Sequence, residues 1–224
     1  TPFEVVLEPD DDDPPGTQFY GMSVFPDRGV YFGMLWVYHP NQLTVDDIWK
    51  SPGLAGPTLS RSGKYLAATA PFKGRMNLLV MDMETRKGNL LTAFDDYDVI
   101  NVAWVGDDRL IFSLGQANSP TGAGQFDGGG LFVVGRDGSG ARRLAPTVRE
   151  TRQRNQYVYR SLSLHRTIPG NTDEVIAEGN QTSADSVDLY RLNLNTGRTT
   201  LLTSGRPADL TFDWQLDSKL MTRV

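Results

Sequence analysis

Cysteine is absent from this chain of 224 residues. Its absence excludes disulfides, thiol catalysis and thiolate-held zinc, and leaves the compartment open. Histidine is nearly absent as well, with only His39 and His165. Serine hydrolysis needs a base beside the nucleophile and a carboxylate to orient that base. No G-x-S-x-G elbow occurs, and the nearest string, "DGSGA" at 137–141, has the wrong spacing and reads as a hairpin turn. His39 precedes Pro40, where the chain must leave its strand, and His165 reads as a strand-end residue. A self-contained triad is not expected. No catalytic, cofactor-binding or metal-binding residue is assigned.

Positive charge is also short. Lys and Arg number 22 against 27 Asp and Glu, a net charge of −5, which argues against a nucleic-acid partner. One basic cluster stands out, Arg142, Arg143, Arg149, Arg152 and Arg154, and it reads as a solvated loop between repeats. No apolar run approaches the roughly 18 residues of a membrane span. The longest, Val30–Tyr38, is strand-length. The chain begins at Thr1 without a signal peptide, as a processed or trimmed product would. A periplasmic or secreted setting is favoured.

Three polar tracts invite functional readings that weaken on inspection. The acidic run "PDDDDPP" at 9–15 lacks the spaced ligands of a calcium loop and reads as a surface loop. Gly115–Gly130, "GQANSPTGAGQFDGGG", resembles a phosphate cradle in composition, but a strand follows it where a cradle needs a helix. It reads as a long flexible loop of the kind that carries partner contacts. The sequon Asn180–Thr182 has meaning only in a eukaryotic secretory pathway.

What the chain does have is repetition. One pattern of apolar strand, turn, apolar strand, loop, third strand, turn and Leu-rich exit occurs at 56–93, 101–146 and 160–205, and a fourth copy starting at 210 is partial at 224. The matching first-strand positions Leu59, Trp104, Leu164 and Trp214 lie 45, 60 and 50 residues apart. Leu189, Arg191 and Asn193 alternate with Tyr190, Leu192 and Leu194, the period of a strand. The strings "ETRKG", "RDGSG" and "LNTGR" supply Gly, Asn or Asp where hairpins need positive φ. Trp36, Trp104 and Trp214 read as core, and Trp49 as part of a short amphipathic turn in a linker at 41–55. Repeats of this length made of short strands predict an all-β propeller, because one blade cannot bury both of its faces alone. About four blades are expected: three full ones plus a composite or incomplete one, in a ring that need not close.

Residues 42–224 resemble the propeller of the prolyl oligopeptidase family of serine peptidases. The resemblance rests on Pro57, Leu59, Ser60, Gly63, Lys64, Tyr65, Leu66 and Ala67, and on "DLYRLNLNTGRTTLLT". Arg61 and Ser62 stand where that family's turn has Pro-Asp. The resemblance implies a non-catalytic module that gates peptide entry and docks an α/β-hydrolase domain. It carries no catalytic residue to this chain. Residues 1–40, "QFYGMSVFPDRGVYFGMLWVYHP" within them, instead resemble a strand pair of a five-bladed-propeller glycoside hydrolase. That suggests a mosaic, natural or engineered, joined around Pro40–Leu43, whose first segment completes the last blade. The paired acids of a glycosidase are not identifiable, Asp27 included. The partner expected is a peptide or protein, or a peptidase catalytic domain, with dimerisation through open sheet edges as a further route.

Overall fold

The computed structural model describes residues 8–13, 15–27, 30–38, 53–116, 127–156, 158–204, 211, 213–217 and 222–223, in two units divided between Ser51 and Pro52. In the first, β1 (Gln18–Asp27) pairs antiparallel with β2 (Val30–Tyr38), with a bulge between Phe19 and Gly21. Ahead of the hairpin, Asp10 Oδ1 accepts from the Asp12 N–H at 3.0 Å, and Asp13 Oδ2 accepts from the Asp10 N–H at 3.1 Å. Two of the four aspartates therefore fold onto their own backbone as turn-formers do. His39, Trp49, the Trp36 side chain, the join at Pro40–Leu43 and residues 117–126 of the Gly-rich tract lie outside the described residues.

The second unit holds three four-stranded antiparallel sheets. They are β3 (Ala55–Leu59), β4 (Tyr65–Phe72), β5 (Arg75–Asp82) and β6 (Gly88–Leu90); β7 (Asp98–Val105), β8 (Arg109–Gly115), β9 (Gly129–Gly135) and β10 (Arg142–Thr147); and β11 (Leu162–Thr167), β12 (Glu174–Gly179), β13 (Asp188–Asn193) and β14 (Thr199–Leu201). In every sheet spatial order follows chain order. The Leu-rich exit of each copy is thus its fourth strand. A two-stranded hairpin, β15 (Gln215–Leu216) with β16 (Thr222–Arg223), represents the partial fourth copy. The first strand of one sheet lies against the third strand of the sheet before it, β7 on β5 and β11 on β9. Meander sheets stacked face to face in this way are propeller blades.

Burial explains the stacking. On β8, Leu110, Phe112 and Leu114 pack toward blade 1 with Leu78 and Val80, while Ile111 packs toward blade 3 with Val175 and Leu192. One strand serves two cores, so "RLIFSLG" is an almost unbroken apolar run. Each fully buried side chain of this size stabilises by about 1.5–3 kcal/mol. Trp104 and Trp214 are both buried, and their indole N–H groups donate to the carbonyls of Thr58 (3.0 Å) and Val187 (2.7 Å). Trp214 and Leu216 rest on Ile176 and Leu189, which seats the partial fourth copy on blade 3.

A buried polar strap recurs in blades 1 and 3. Asn77, fully buried, accepts from Thr92 Oγ1 at 2.9 Å, and the Leu78 N–H donates to the same hydroxyl at 2.8 Å. Asp188, also fully buried, accepts from Thr203 Oγ1 at 2.8 Å, and the Leu189 N–H donates to that hydroxyl at 3.3 Å. Both pairs span 15 residues, from the start of the third strand to the exit of the fourth. Blade 2 has Gly130 and Ala145 at these positions.

Two sequence expectations are corrected. In "ETRKG" the left-handed residue is Arg86 (φ 56°), with Gly88 already in β6, whereas "LNTGR" places Gly197 there (φ 74°). The arginine cluster is not a solvated loop. Residues Val148–Gln153 form the helix α1, capped by Thr147, whose hydroxyl accepts from the Glu150 N–H while Glu150 Oε2 accepts from the Thr147 N–H. Arg149 pairs with Asp96 at 2.6 Å and stacks 4.5 Å over the Tyr97 ring, Arg152 pairs with Asp127, and Arg143 pairs with Glu150. The carboxylates of Asp96 and Asp127 come from the loops before β7 and β9, remote in sequence.

Candidate functional site

The turns that join first to second strands gather at one end of the three blades. They are Ser60–Lys64 in blade 1, Gly106–Asp108 in blade 2 and Ile168–Asp173 in blade 3. Together with the ends of β3, β7 and β11 they enclose a groove of about 680 Å³, within the size range of small-molecule and peptide sites. Its floor is apolar: Leu59, Val102, Trp104 and Ile168. Leu59 is 55% exposed, at the end of the edge strand β3, much of which is open to solvent.

The rim is stitched from blade to blade. The Ser62 N–H donates to Asp107 Oδ1 at 2.8 Å, tying blade 1 to blade 2. That amide holds the Asp107 carboxyl below the usual carboxylate range. Arg109 donates to the Thr172 carbonyl at 3.4 Å and pairs with Asp173 at 3.5 Å, tying blade 2 to blade 3. Asp108 is taken by Arg136 at 3.1 Å. Gly106 sits at φ 68°, a conformation that favours glycine, and a Cβ there would meet the Thr172 Cγ2 methyl at 2.9 Å.

Two further cavities lie between blades. One of about 360 Å³ is bounded by the hairpin turns of blades 2 and 3, and its arginines are engaged: Arg109 with Asp173, Arg136 with Asp108, Arg142 with the Asn195 carbonyl. The other, about 390 Å³, is lined by Phe94, Phe112 and Phe132. Those rings pack on one another, Phe112 and Phe132 stacked at 5.4 Å.

The chemistry-bearing residues noted in the sequence have structural employment. His165, expected at a strand end, lies instead inside β11, at its bulge, with Nδ1 2.9 Å from Glu178 Oε2. Ser163 Oγ donates to the other oxygen of that carboxylate at 3.4 Å. Hydroxyl and imidazole thus share one acid and are not joined to each other, which is not the order a serine nucleophile needs. Asn180 of the sequon accepts from the Ser161 N–H at 2.6 Å and donates to the Tyr159 carbonyl at 3.0 Å. Its amide is bound into the blade, with the nitrogen that would carry a glycan already donating to the Tyr159 carbonyl. Among the described residues no three His, Asp or Glu side chains gather as metal ligands do, and no helix is long and apolar enough to cross a membrane.

No family model matches the chain, and no curated protein matches it. Solved structures similar to it include TolB from Acinetobacter baumannii, at 11% identity over 85% of this chain and 41% of that one, with a TM-score of 0.46. Porphyromonas gingivalis dipeptidyl peptidase 4 aligns at 10% identity over 83% of this chain and 30% of that one, TM-score 0.47. An acylaminoacyl peptidase, solved with Z-Gly-Gly-Phe-chloromethyl ketone, aligns at 13% identity over 82% and 30%, TM-score 0.45. The chain spans less than half the length of each of these structures. Its assignment as a propeller rests on its own stacked sheets.

Proposed function

We propose that the chain is a non-catalytic β-propeller module that binds a peptide or protein segment in the groove at the inner ends of its blades. The observation that carries this reading is the groove itself: an apolar floor with Leu59 exposed, inside a rim braced by blade-to-blade hydrogen bonds. The exposed Leu59, with Val102, Trp104 and Ile168 lining the same groove, supplies apolar surface that a bound side chain would cover. The sequence resemblance over residues 42–224 gives the setting, a propeller of a prolyl-oligopeptidase-like peptidase that filters peptides and docks a hydrolase domain. The second reading is a stand-alone scaffold with the same groove.

Two assays test it. The chain should neither turn over chromogenic dipeptide substrates nor take a fluorophosphonate label; turnover that a serine-directed inhibitor abolishes would overturn the non-catalytic reading. Leu59→Asp should remove peptide binding while leaving the thermal melt in place. Retained binding in that variant would move the site elsewhere.

A further inference from the structure

The three cavities differ in one respect that bears on what they hold. In the cavity between the hairpin turns of blades 2 and 3, every lining arginine has a partner within the fold. In the phenylalanine cavity, Arg143 is paired with Glu150 and Arg142 is held by the Asn195 carbonyl. The groove is different. Arg61 lines it, is exposed, and among the described residues has neither an ion-pair nor a hydrogen-bond partner. An arginine with five donors and no partner among the described residues, beside an apolar floor, offers a bidentate contact to an anion.

The rest of the rim narrows the choice of anion. Asp107 and Asp108 line the same groove. A ligand with several negative charges would place some of them against those carboxylates, so an acidic run or a phosphorylated segment is disfavoured. A single carboxylate attached to apolar material satisfies all the walls at once. The end of a polypeptide chain is that object: one carboxylate, planar and bidentate, following side chains that can cover Leu59 and Ile168.

We propose that the groove captures the free C-terminus of a peptide ending in apolar residues, with Arg61 clasping the terminal carboxylate and Leu59, Trp104 and Ile168 receiving the last side chains. This rests on the reading of the groove as a peptide site, and it names the class of ligand that site takes. Arg61 would then select chain ends over internal segments.

The test uses the full chain and fluorescein-labelled heptapeptides ending in Leu, Phe or Val, each as the free acid and as the C-terminal amide, with an Asp-rich heptapeptide as a third arm. Fluorescence anisotropy should show the free acids binding at least about tenfold more tightly than their amides, the order of a charge-assisted bidentate contact. Arg61→Ala should erase that preference, Arg61→Lys should keep part of it, and neither should move the melting temperature, since the side chain is exposed. Equal binding of acid and amide, both lost in Leu59→Asp, would overturn the C-terminus proposal and leave the peptide site standing. Tighter binding of the Asp-rich peptide would overturn the single-carboxylate argument. Failure of every peptide to bind would overturn the site reading and this inference together.

Discussion

Blades 1 and 3 fasten themselves; blade 2 is fastened from outside. In the self-fastened pair, Asn77–Thr92 and Asp188–Thr203 tie the start of the third strand to the exit of the fourth within one sheet. In blade 2 the equivalent residues, Gly130 and Ala145, carry no side-chain polar group. There the Gly130 N–H donates to the Tyr159 hydroxyl at 3.0 Å, and that hydroxyl donates to the Pro146 carbonyl at 3.3 Å. Tyr159 belongs to the segment between blades. The reason lies further along the strand: β10 runs on to Thr147, which caps α1, so the fourth strand of blade 2 does not end where a threonine strap would sit. A repeat keeps its backbone and re-sources its hydrogen bonds to suit the segment that comes after it.

The sharpest way to break this comparison is Asp188→Ala. It removes the acceptor of the Thr203 and Thr182 hydroxyls in a fully buried site, and should cost about 3 kcal/mol in urea unfolding. Asn77→Ala should cost a similar amount through Thr92 and the Phe94 N–H. A loss below about 0.5 kcal/mol in either would show the straps to be dispensable. Gly130→Ala should come next at about 2 kcal/mol, because a Cβ there, at φ 72°, meets Phe132 at 3.0 Å and the Ala145 carbonyl at 3.1 Å. Tyr159→Phe removes only the external fastening and should cost about 1 kcal/mol by the same assay. Smallest is Arg86→Gly, which gives copy 1 the residue that copy 3 uses at its left-handed position. It should raise stability by about 0.5 kcal/mol, strain relief set against the entropy of glycine.

Much of the fold was legible in the residues, and for identifiable reasons. Asp82 and Asn193 sit at corresponding hairpin positions, where each accepts from the N–H groups two and three residues on, so the repeat could be read from turn chemistry that is local. The straps were not legible, because their two ends are 15 residues apart and look like isolated polar interruptions of apolar strands. Helix α1 does have a local signal: Thr147-x-x-Glu150 is a capping box, masked by the arginines around it. The groove was beyond reach. Leu59 has the alternation of a core residue, and its exposure goes with the open edge strand β3 that carries it. Arg61 did show itself, as the residue standing where the resembling family has proline, but a substitution in a turn does not announce which cavity it borders.

The turn at Gly106–Asp108 carries a last consequence. Asp107 reaches back to Ser62 and, just past the turn, Arg109 reaches forward to Thr172, so a few consecutive residues touch all three blades at the rim of the groove. The turn is a shared rim: Gly106, Asp107 and Asp108 all line the groove, so its length bears on the shape of what fits there. Lengthening it by one residue would change the calibre of what fits before it changed the stability of anything that holds the blades together.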